Sequence, residues 1–152
     1  MDWFRYRFRS VWRLAAPPAA VYAVLERGED YPQWWPQVRE VVTLDERTGT
    51  ARFRSFLPID LVVTVETRRG DPVAGVLEAS LRGDLEGWAR WTLTPYGTGA
   101  GTGTRALYEQ EVEVTRPLMR RLAVPGRPVF RANHALMMRA GRRGLAARLR
   151  LV

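Results

Sequence analysis

The sequence predicts an α+β fold in which a curved antiparallel sheet packs against one long C-terminal helix. Residues 128–149 show helical periodicity with no strong stop signal, and seven earlier segments alternate apolar with polar residues between turn signals. A helix of about 20 residues is about 30 Å long, because each residue rises about 1.5 Å. Since such a helix must bury its apolar face, we expect it to lie across the sheet.

The composition indicates one domain spanning residues 1–152. The chain is 46% hydrophobic and contains six tryptophans, which is enough apolar material for a single core. The absence of cysteine excludes disulfides and thiolate metal sites and fits a reducing cytoplasm. With one histidine and outward-facing carboxylates, no metal and no cofactor are predicted. No apolar run reaches the length of a membrane span, so we expect a cytoplasmic protein.

Charge is distributed unevenly along the chain. Residues 1–113 carry 14 arginines and 16 acidic residues, whereas residues 114–152 carry 10 arginines and no acidic residue. The chain has no lysine, so a genomic preference for arginine codons is one explanation. The other is an anionic partner for the C-terminal helix, such as a phosphate, an acidic carrier protein or a membrane surface. Nucleic acid is not favoured, because no recognition motif is present.

The N-terminal segment predicts a strand, a short helix and an aromatic turn. Residues 3–14 alternate apolar residues with arginines, as a half-buried strand does. Two prolines end this strand and open a short helix at residues 19–27. In the following YPQWWPQV stretch, prolines flank Trp34 and Trp35, which indicates a turn or a single helical turn that carries large rings.

Six further strands are predicted between turn signals. Gly83 and Asp84 form a strong hairpin signal. The glycine-rich segment 96–104 is expected to be a hairpin loop and not a phosphate-binding loop, because its glycines do not precede a helix. The predicted strands are residues 38–45, 50–57, 60–68, 75–82, 84–94 and 104–114.

Charged residues predict how the first and last strands pair. Arginines occupy alternate positions of the first strand, and glutamates do the same on the last strand. If these strands are antiparallel neighbours, the two rows form a cross-strand ladder on the convex surface. The ladder would comprise Arg5, Arg7 and Arg9 on one strand and Glu109, Glu111 and Glu113 on the other.

The long helix is predicted to bury a face of small and apolar residues. The small residues Ala140, Gly141 and Gly144 are expected to allow a close approach, at a cost of about 1 kcal/mol for each glycine in helix propensity. The arginines of the opposite face are expected to be exposed: Arg139, Arg142 and Arg143. The predicted buried face comprises Val129, Ala132, Asn133, Leu136, Met137, Ala140, Gly144 and Leu145.

The order of elements and several segments resemble the START-like (SRPBCC) superfamily, and within it the polyketide cyclase/dehydrase and hydrophobic-ligand-transport branch. The segments that carry the resemblance are LAAPPAAVYAVL, YPQWWPQV, GDLEGWARWTLTP and NHALMMRAGRRGLAARL. The resemblance covers essentially the whole chain. It implies a helix-grip fold, in which a seven-stranded antiparallel sheet wraps around the terminal helix and encloses an apolar cavity. Family members bind lipids, sterols, polyketides or other hydrophobic molecules, and some cyclise or dehydrate bound polyketides.

Four polar residues are candidates for orienting a ligand or handling protons. Tyr108 and Gln110 face inward on the last strand, and inward polar groups in an apolar cavity need partners. His134, the only histidine, titrates near neutral pH and is a candidate general acid or base with Tyr108. Asn133 follows the apolar helix face, but it lies about 100° from His134, so we do not expect both to point squarely into a cavity. Packing or mutual hydrogen bonding is the alternative role for each residue.

The remaining candidates supply the walls of the predicted cavity. Large rings mix with small residues at the inward positions, so side chains should not fill the space evenly. Core packing is the alternative role for each ring. The predicted ligand-binding residues are Trp12, Trp34, Trp35, Phe53, Ser55, Ala89, Trp91 and Met137, together with Tyr108, Gln110 and Asn133.

These observations favour a protein that binds a hydrophobic, aromatic or polyketide-like molecule between sheet and helix. One alternative is a polyketide cyclase or aromatase acting on a carrier-bound polyketide, in which the arginine-rich helix meets an acidic acyl carrier protein. In that case Tyr108 and His134 or Asn133 would handle protons or position the substrate. Another alternative is an accessory protein whose own rings fill the cavity. Cavity volume distinguishes this last alternative from the others.

Overall fold

The computed structural model describes residues 4–54, 60–97, 102–115, 117, 121 and 126–150. The elements found there follow the predicted order, with boundaries displaced by a few residues. No helix in these ranges is both long and apolar enough to cross a membrane. The elements are β1 (Arg5–Leu14), α1 (Pro18–Leu25), a 3₁₀ helix (Gly28–Asp30), α2 (Tyr31–Trp34), β2 (Val38–Thr43), β3 (Thr48–Arg54), β4 (Asp60–Asp71), β5 (Val76–Gly83), β6 (Leu85–Tyr96), β7 (Gly103–Val114) and α3 (Arg127–Leu149).

The strands form one antiparallel seven-stranded sheet, as predicted, and their order in it is β1-β7-β6-β5-β4-β3-β2. Neighbours from β2 to β7 are consecutive in the chain, whereas β1 joins the sheet beside the last strand. The register shifts between Val38 and Glu40 on β2 and between Thr67 and Arg69 on β4. Because an extra residue bends the strand that carries it, these irregularities help to curve the sheet.

The predicted charge ladder between β1 and β7 is confirmed, and its contacts converge. Arg5 Nη1 lies 2.8 Å from Glu111 Oε1, and Arg7 Nε lies 3.2 Å from Oε2 of the same carboxylate. Arg90 on β6 reaches Glu109 at 3.1 Å, so the ladder extends to a third strand. The residues that lie directly opposite each other are Arg5 and Glu113, Arg7 and Glu111, and Arg9 and Glu109.

The buried face of α3 is rotated from the predicted one. Met138 and Leu145 are buried, whereas Val129 and Leu136 are 53% and 43% exposed. The prediction for Val129, Ala132 and Leu136, which are all exposed, was wrong, because the run of apolar residues around Leu136 fits two neighbouring arcs of the helix equally well. Tight packing at the glycines sets the rotation instead. The arginines predicted to face solvent are exposed: Arg139, Arg142 and Arg143.

The aromatic turn packs against the C-terminal half of α3. A Cβ atom added to Gly141 would lie 2.5 Å from the Trp35 ring, and one added to Gly144 would lie 1.6 Å from the Trp34 carbonyl oxygen. The Trp35 indole Nε1 also donates a hydrogen bond to the Met137 carbonyl oxygen at 3.0 Å. The expected close approach at the two glycines is confirmed, and their partner is this turn.

Candidate functional site

A cavity of about 420 Å³ lies between the concave face of the sheet and the N-terminal half of α3. All seven strands contribute lining residues, most of them apolar. This volume falls within the range of about 300–1,000 Å³ that is typical of small-molecule sites. Lining residues on the helix recur every three or four positions, because such residues share one face. They are Phe130, Asn133, His134, Met137 and Met138.

Tyr108, Gln110 and His134 form a polar wall in this apolar cavity. Strand alternation puts Tyr108 and Gln110 on the same face of β7, and α3 brings His134 within reach of them. The Tyr108 hydroxyl donates to Gln110 Oε1 at 2.6 Å, and His134 Nε2 lies 3.3 Å from the same oxygen. Phe8 stacks on the His134 ring with the ring centroids 3.7 Å apart. Contacts within the protein therefore hold all three polar groups in place.

Burial determines the protonation of this polar wall. Desolvation lowers the pKa of His134 to about 4, so the imidazole is neutral at pH 7. Desolvation also raises the pKa of Tyr108, so the phenol stays protonated and able to donate. At neutral pH the polar wall therefore offers hydrogen bonds and no charge.

The four predicted tryptophans all belong to one buried core cluster, but they lie at two depths. Trp35 and Trp91 also line the cavity, whereas Trp12 and Trp34 pack behind these two rings. The Trp12 ring centroid is 4.8 Å from that of Trp91 and 5.7 Å from that of Trp35. Trp34 stacks on Trp35 at 5.5 Å. Trp12 and Trp34 therefore support the wall from a second layer, because alternation along the chain gives the direction of a ring but not its depth.

Most of the other predicted site residues line the cavity, and Ser55 lies outside the described residues. Asn133 and His134 both contribute to the lining despite their angular separation, because the cavity covers a broad arc of the helix. The predicted residues found on the wall, besides the two tryptophans, are Phe53, Ala89, Tyr108, Gln110, Asn133, His134 and Met137.

Sequence reasoning missed several rings of the lining. Tyr6 and Phe8 share the inward alternation of β1, so the signal for them was present. Phe130 was missed because the helix face was assigned with the wrong rotation. No pattern pointed to Tyr31, which reaches the cavity because its hydroxyl is anchored to the Leu25 carbonyl oxygen at 2.7 Å.

Apart from Glu78 on β5, the charged part of the lining is concentrated at an entrance to solvent. It lies where the end of α1 and the 3₁₀ helix face the turn between β2 and β3. The Asp45 carboxylate accepts hydrogen bonds from the backbone N–H groups of Arg47 and Thr48, which lower its pKa. The exposed lining residues of this entrance are Glu26, Glu29, Asp45, Glu46 and Arg47, so acidic groups predominate.

Comparisons with known proteins agree with this architecture. The protein TTHA0849 from Thermus thermophilus superposes with a TM-score of 0.76 at 18% identity, covering 95% of this chain and 97% of that chain. A START superfamily protein from Mycobacterium smegmatis gives 0.76 at 16% identity, with the same coverage of 95% and 97%. The Zhui aromatase/cyclase from Streptomyces sp. R1128 gives 0.73 at 14% identity, covering 96% of this chain and 94% of that chain. A sequence comparison with curated proteins finds no match.

Because these structural neighbours share little sequence identity with this chain, they establish its fold and nothing more. That fold is the predicted helix-grip fold of the START-like superfamily. Residues 14–137 match the sequence profile of the family described as polyketide cyclase / dehydrase and lipid transport. This family match supports a role in binding or cyclising a hydrophobic molecule. This match spans most of the chain, and the chain belongs to the polyketide cyclase/dehydrase and lipid-transport family.

Proposed function

We propose that this protein binds a hydrophobic small molecule with an aromatic, polyketide-like ring system and one or two oxygen atoms. The observation that carries the proposal is the apolar cavity of about 420 Å³ whose buried polar groups lie together on one wall. Apolar walls suit the rings of such a ligand, and the polar wall suits its oxygens.

The hydrogen bonds of the polar wall leave a donor for the ligand. Both internal contacts use Oε1 of Gln110, at 2.6 Å from the Tyr108 hydroxyl and 3.3 Å from His134 Nε2. In the described part of the chain no acceptor is hydrogen-bonded to the amide Nε2 of Gln110. A ligand carbonyl placed beside Gln110 would accept from this group and so fix the orientation of the ring system.

Hydrophobic burial sets the affinity to expect. Burying about 200 Å² of apolar ligand surface at about 25 cal/mol per Å² contributes about 5 kcal/mol before the entropy cost of association. By itself this contribution corresponds to a dissociation constant of about 0.2 mM, so we expect binding in the range of hundreds of micromolar or weaker.

Calorimetric titration with a panel of aromatic polyketide-like compounds tests the proposal. Ala89 lies opposite Gln110 in the sheet and lines the cavity, so Ala89→Trp should fill the space and abolish binding. Glu86→Trp, an exposed position on the same strand, is the matched control and should bind as the parent does. Tyr108→Phe should weaken the binding of oxygen-containing ligands and leave the binding of pure hydrocarbons unchanged. A parent protein that binds no member of the panel, or an Ala89→Trp protein that binds as well as the parent, contradicts the proposal.

A second candidate function is cyclisation of a polyketide delivered by an acidic acyl carrier protein. The observation that favours it is the row of exposed arginines on the outer face of α3, which suits an acidic partner. Tyr108 would turn its hydroxyl away from Gln110 to donate a hydrogen bond to a substrate carbonyl, and neutral His134 would accept a proton. The row comprises Arg131, Arg139, Arg142 and Arg143.

Turnover separates the two functions. Under the cyclase proposal, a carrier-bound polyketide should be converted to a cyclic product by the parent, and Tyr108→Phe or His134→Gln should slow the conversion. Arg139→Asp combined with Arg142→Asp should raise KM for the carrier-bound substrate and leave the binding of a free ligand unchanged. Binding of free ligand without turnover of the carrier-bound form supports the binding function alone.

A further inference from the structure

We infer that the cavity selects uncharged ligands and rejects those that carry a carboxylate or phosphate, such as free fatty acids and phospholipids. This inference rests on the proposed binding function and specifies its ligand class. It is drawn from the charge of the lining, which differs between the inner wall and the entrance but disfavours anions in both places.

The inner wall has hydrogen-bonding groups but no cation. Tyr108 and Gln110 are neutral, and His134 is held neutral by its burial. A carboxylate placed against these groups would lose its hydration without gaining an opposite charge, and an unpaired buried anion is costly. A ligand hydroxyl or ketone loses much less hydration and is matched by the same donors.

The nearest basic side chains are not part of the inner wall. Among the lining residues that the structure describes, Arg47 is the one basic residue, and it is exposed in the β2–β3 turn. Arg127 lies near the other end of the cavity but is not part of the lining. Its guanidinium carbon sits 4.4 Å from the centroid of the Tyr6 ring, and its Nη2 donates to the Arg5 carbonyl oxygen at 3.2 Å.

The charge of the entrance also disfavours anionic ligands, but more weakly than the inner wall does. Four acidic lining residues and one lining arginine surround it: Glu26, Glu29, Asp45, Glu46 and Arg47. Arg27 Nη2 lies 3.7 Å from Glu29 Oε1, so part of this negative charge is already paired. Hydrogen bonds from the turn lower the pKa of Asp45, so this carboxylate stays ionised. An approaching anion is repelled over a distance of about 8 Å at physiological ionic strength. Selection at the entrance should therefore weaken with added salt, whereas selection at the inner wall should not.

A matched pair of ligands tests the inference on the parent protein without any substitution. Naphthalenemethanol and naphthalenecarboxylate share the same ring and differ in charge. Titrated at pH 7 by calorimetry, the alcohol should bind at least about tenfold more tightly than the carboxylate, since an unpaired charge is the larger burial cost. Methylnaphthalene serves as the uncharged control without oxygen and should also bind more tightly than the carboxylate.

A variant of the entrance separates the two contributions. The combined substitution Glu26→Gln, Glu29→Gln and Glu46→Gln should raise carboxylate affinity by only a few fold and leave alcohol affinity unchanged. Equal binding of alcohol and carboxylate to the parent overturns the inference while leaving the binding function intact. If none of the three ligands binds, and the wider aromatic panel also fails, the proposed function itself fails. A preference that disappears entirely in the glutamine variant would show that the inner wall has no part in selection.

Discussion

The two halves of α3 meet the rest of the protein in opposite ways. In the C-terminal half, Gly141 and Gly144 approach Trp35 and Trp34 so closely that no additional side-chain atom fits between them. Leu145 is completely buried in the same region. In the N-terminal half, larger side chains face the cavity: Phe130, Asn133, His134, Met137 and Met138. One continuous helix is therefore a packed core element at one end and a cavity wall at the other.

This difference explains why the cavity does not close. A helix is stiff over this length, so its distance from the sheet at one end constrains its distance at the other. The contact of two glycines with the Trp34–Trp35 turn fixes the packed end. The helix cannot collapse onto the curved sheet at the open end without breaking that contact. Small residues at one end of the helix thus maintain the space at the other.

The largest effect is expected from Gly144→Ala. In an ordinary helix interior this change stabilises by about 1 kcal/mol. Here the new Cβ would lie 1.6 Å from the Trp34 carbonyl oxygen, so we expect destabilisation by about 3 kcal/mol or more. Urea unfolding measures the difference. Gly28→Ala is the control, because nothing lies within 4 Å of its added Cβ. If Gly144→Ala is as stable as the parent, the tight contact described for the C-terminal half is not present.

The next effect concerns the boundary between the two halves. Met138 is 4% exposed and Leu136 is 43% exposed. Met138→Ala should lower the free energy of unfolding by about 2–5 kcal/mol, as truncation of a buried methionine does. Leu136→Ala should lower it by about 1 kcal/mol or less. Equal losses in the two variants would show that the rotation of the helix differs from the one described.

The open half should make stability depend on pH through His134. The unfolded chain protonates this residue near its ordinary value of 6.5, whereas the folded protein does so only at about 4. Between these pH values the unfolded state binds more protons, so the folded state loses stability as the pH falls. The total loss should be about 3 kcal/mol, and it should be complete below the folded pKa.

Urea unfolding of the parent and of His134→Gln between pH 4 and pH 7 checks this expectation. Ionised carboxylates contribute equally to both proteins, so the difference between the two curves isolates the histidine. The stability of the parent relative to the variant should rise as the pH increases from 4 to 7. Parallel curves would indicate that His134 is hydrated in the folded protein and that the N-terminal half of α3 is wetter than described.

The smallest effect is expected on the convex surface, away from both halves of the helix. The Glu111 carboxylate forms ion pairs with Arg5 and Arg7, whose side chains are 50% and 81% exposed. Glu111→Gln should produce a smaller loss of stability than any change above, because solvent screens exposed pairs. Unfolding at low and at high salt provides the measurement. The loss of stability should diminish at high salt. A loss as large as that caused by Met138→Ala would contradict this expectation.

Much of the fold follows from the sequence, because strand alternation and turn residues are local signals. The segment 103–114 alternates inward and outward residues strictly, and both its strand and its pairing with β1 were predicted. The start of the helix near Pro128 was predicted, but the rotation of the helix about its own axis was not. The apolar stretch around Leu136 does not fix a rotation, whereas the contact of Gly141 with Trp35 does, and that contact joins residues far apart in the chain.

The cavity was harder to predict than the fold for a related reason. Tyr108 and Gln110 were identified because polar residues on an inward face stand out in the sequence. Trp12 and Trp34 were expected on the wall and lie behind it, since depth depends on how the rings pack against one another. Tyr31 reaches the cavity through its own hydrogen bond to a backbone oxygen. Such arrangements are set by three-dimensional packing and leave no periodic trace in the sequence.

The position of β1 has a consequence for how the protein is made. This strand begins at Arg5 and pairs with β7, so the ion pair between Arg5 and Glu111 spans 106 residues. During synthesis β1 therefore emerges long before its partner and must wait unpaired, with its inward rings uncovered. Contacts between such distant residues are slow to form, because a large loop must close first. We expect the sheet to assemble from the β2–β7 meander and β1 to join it last, closing the concave face.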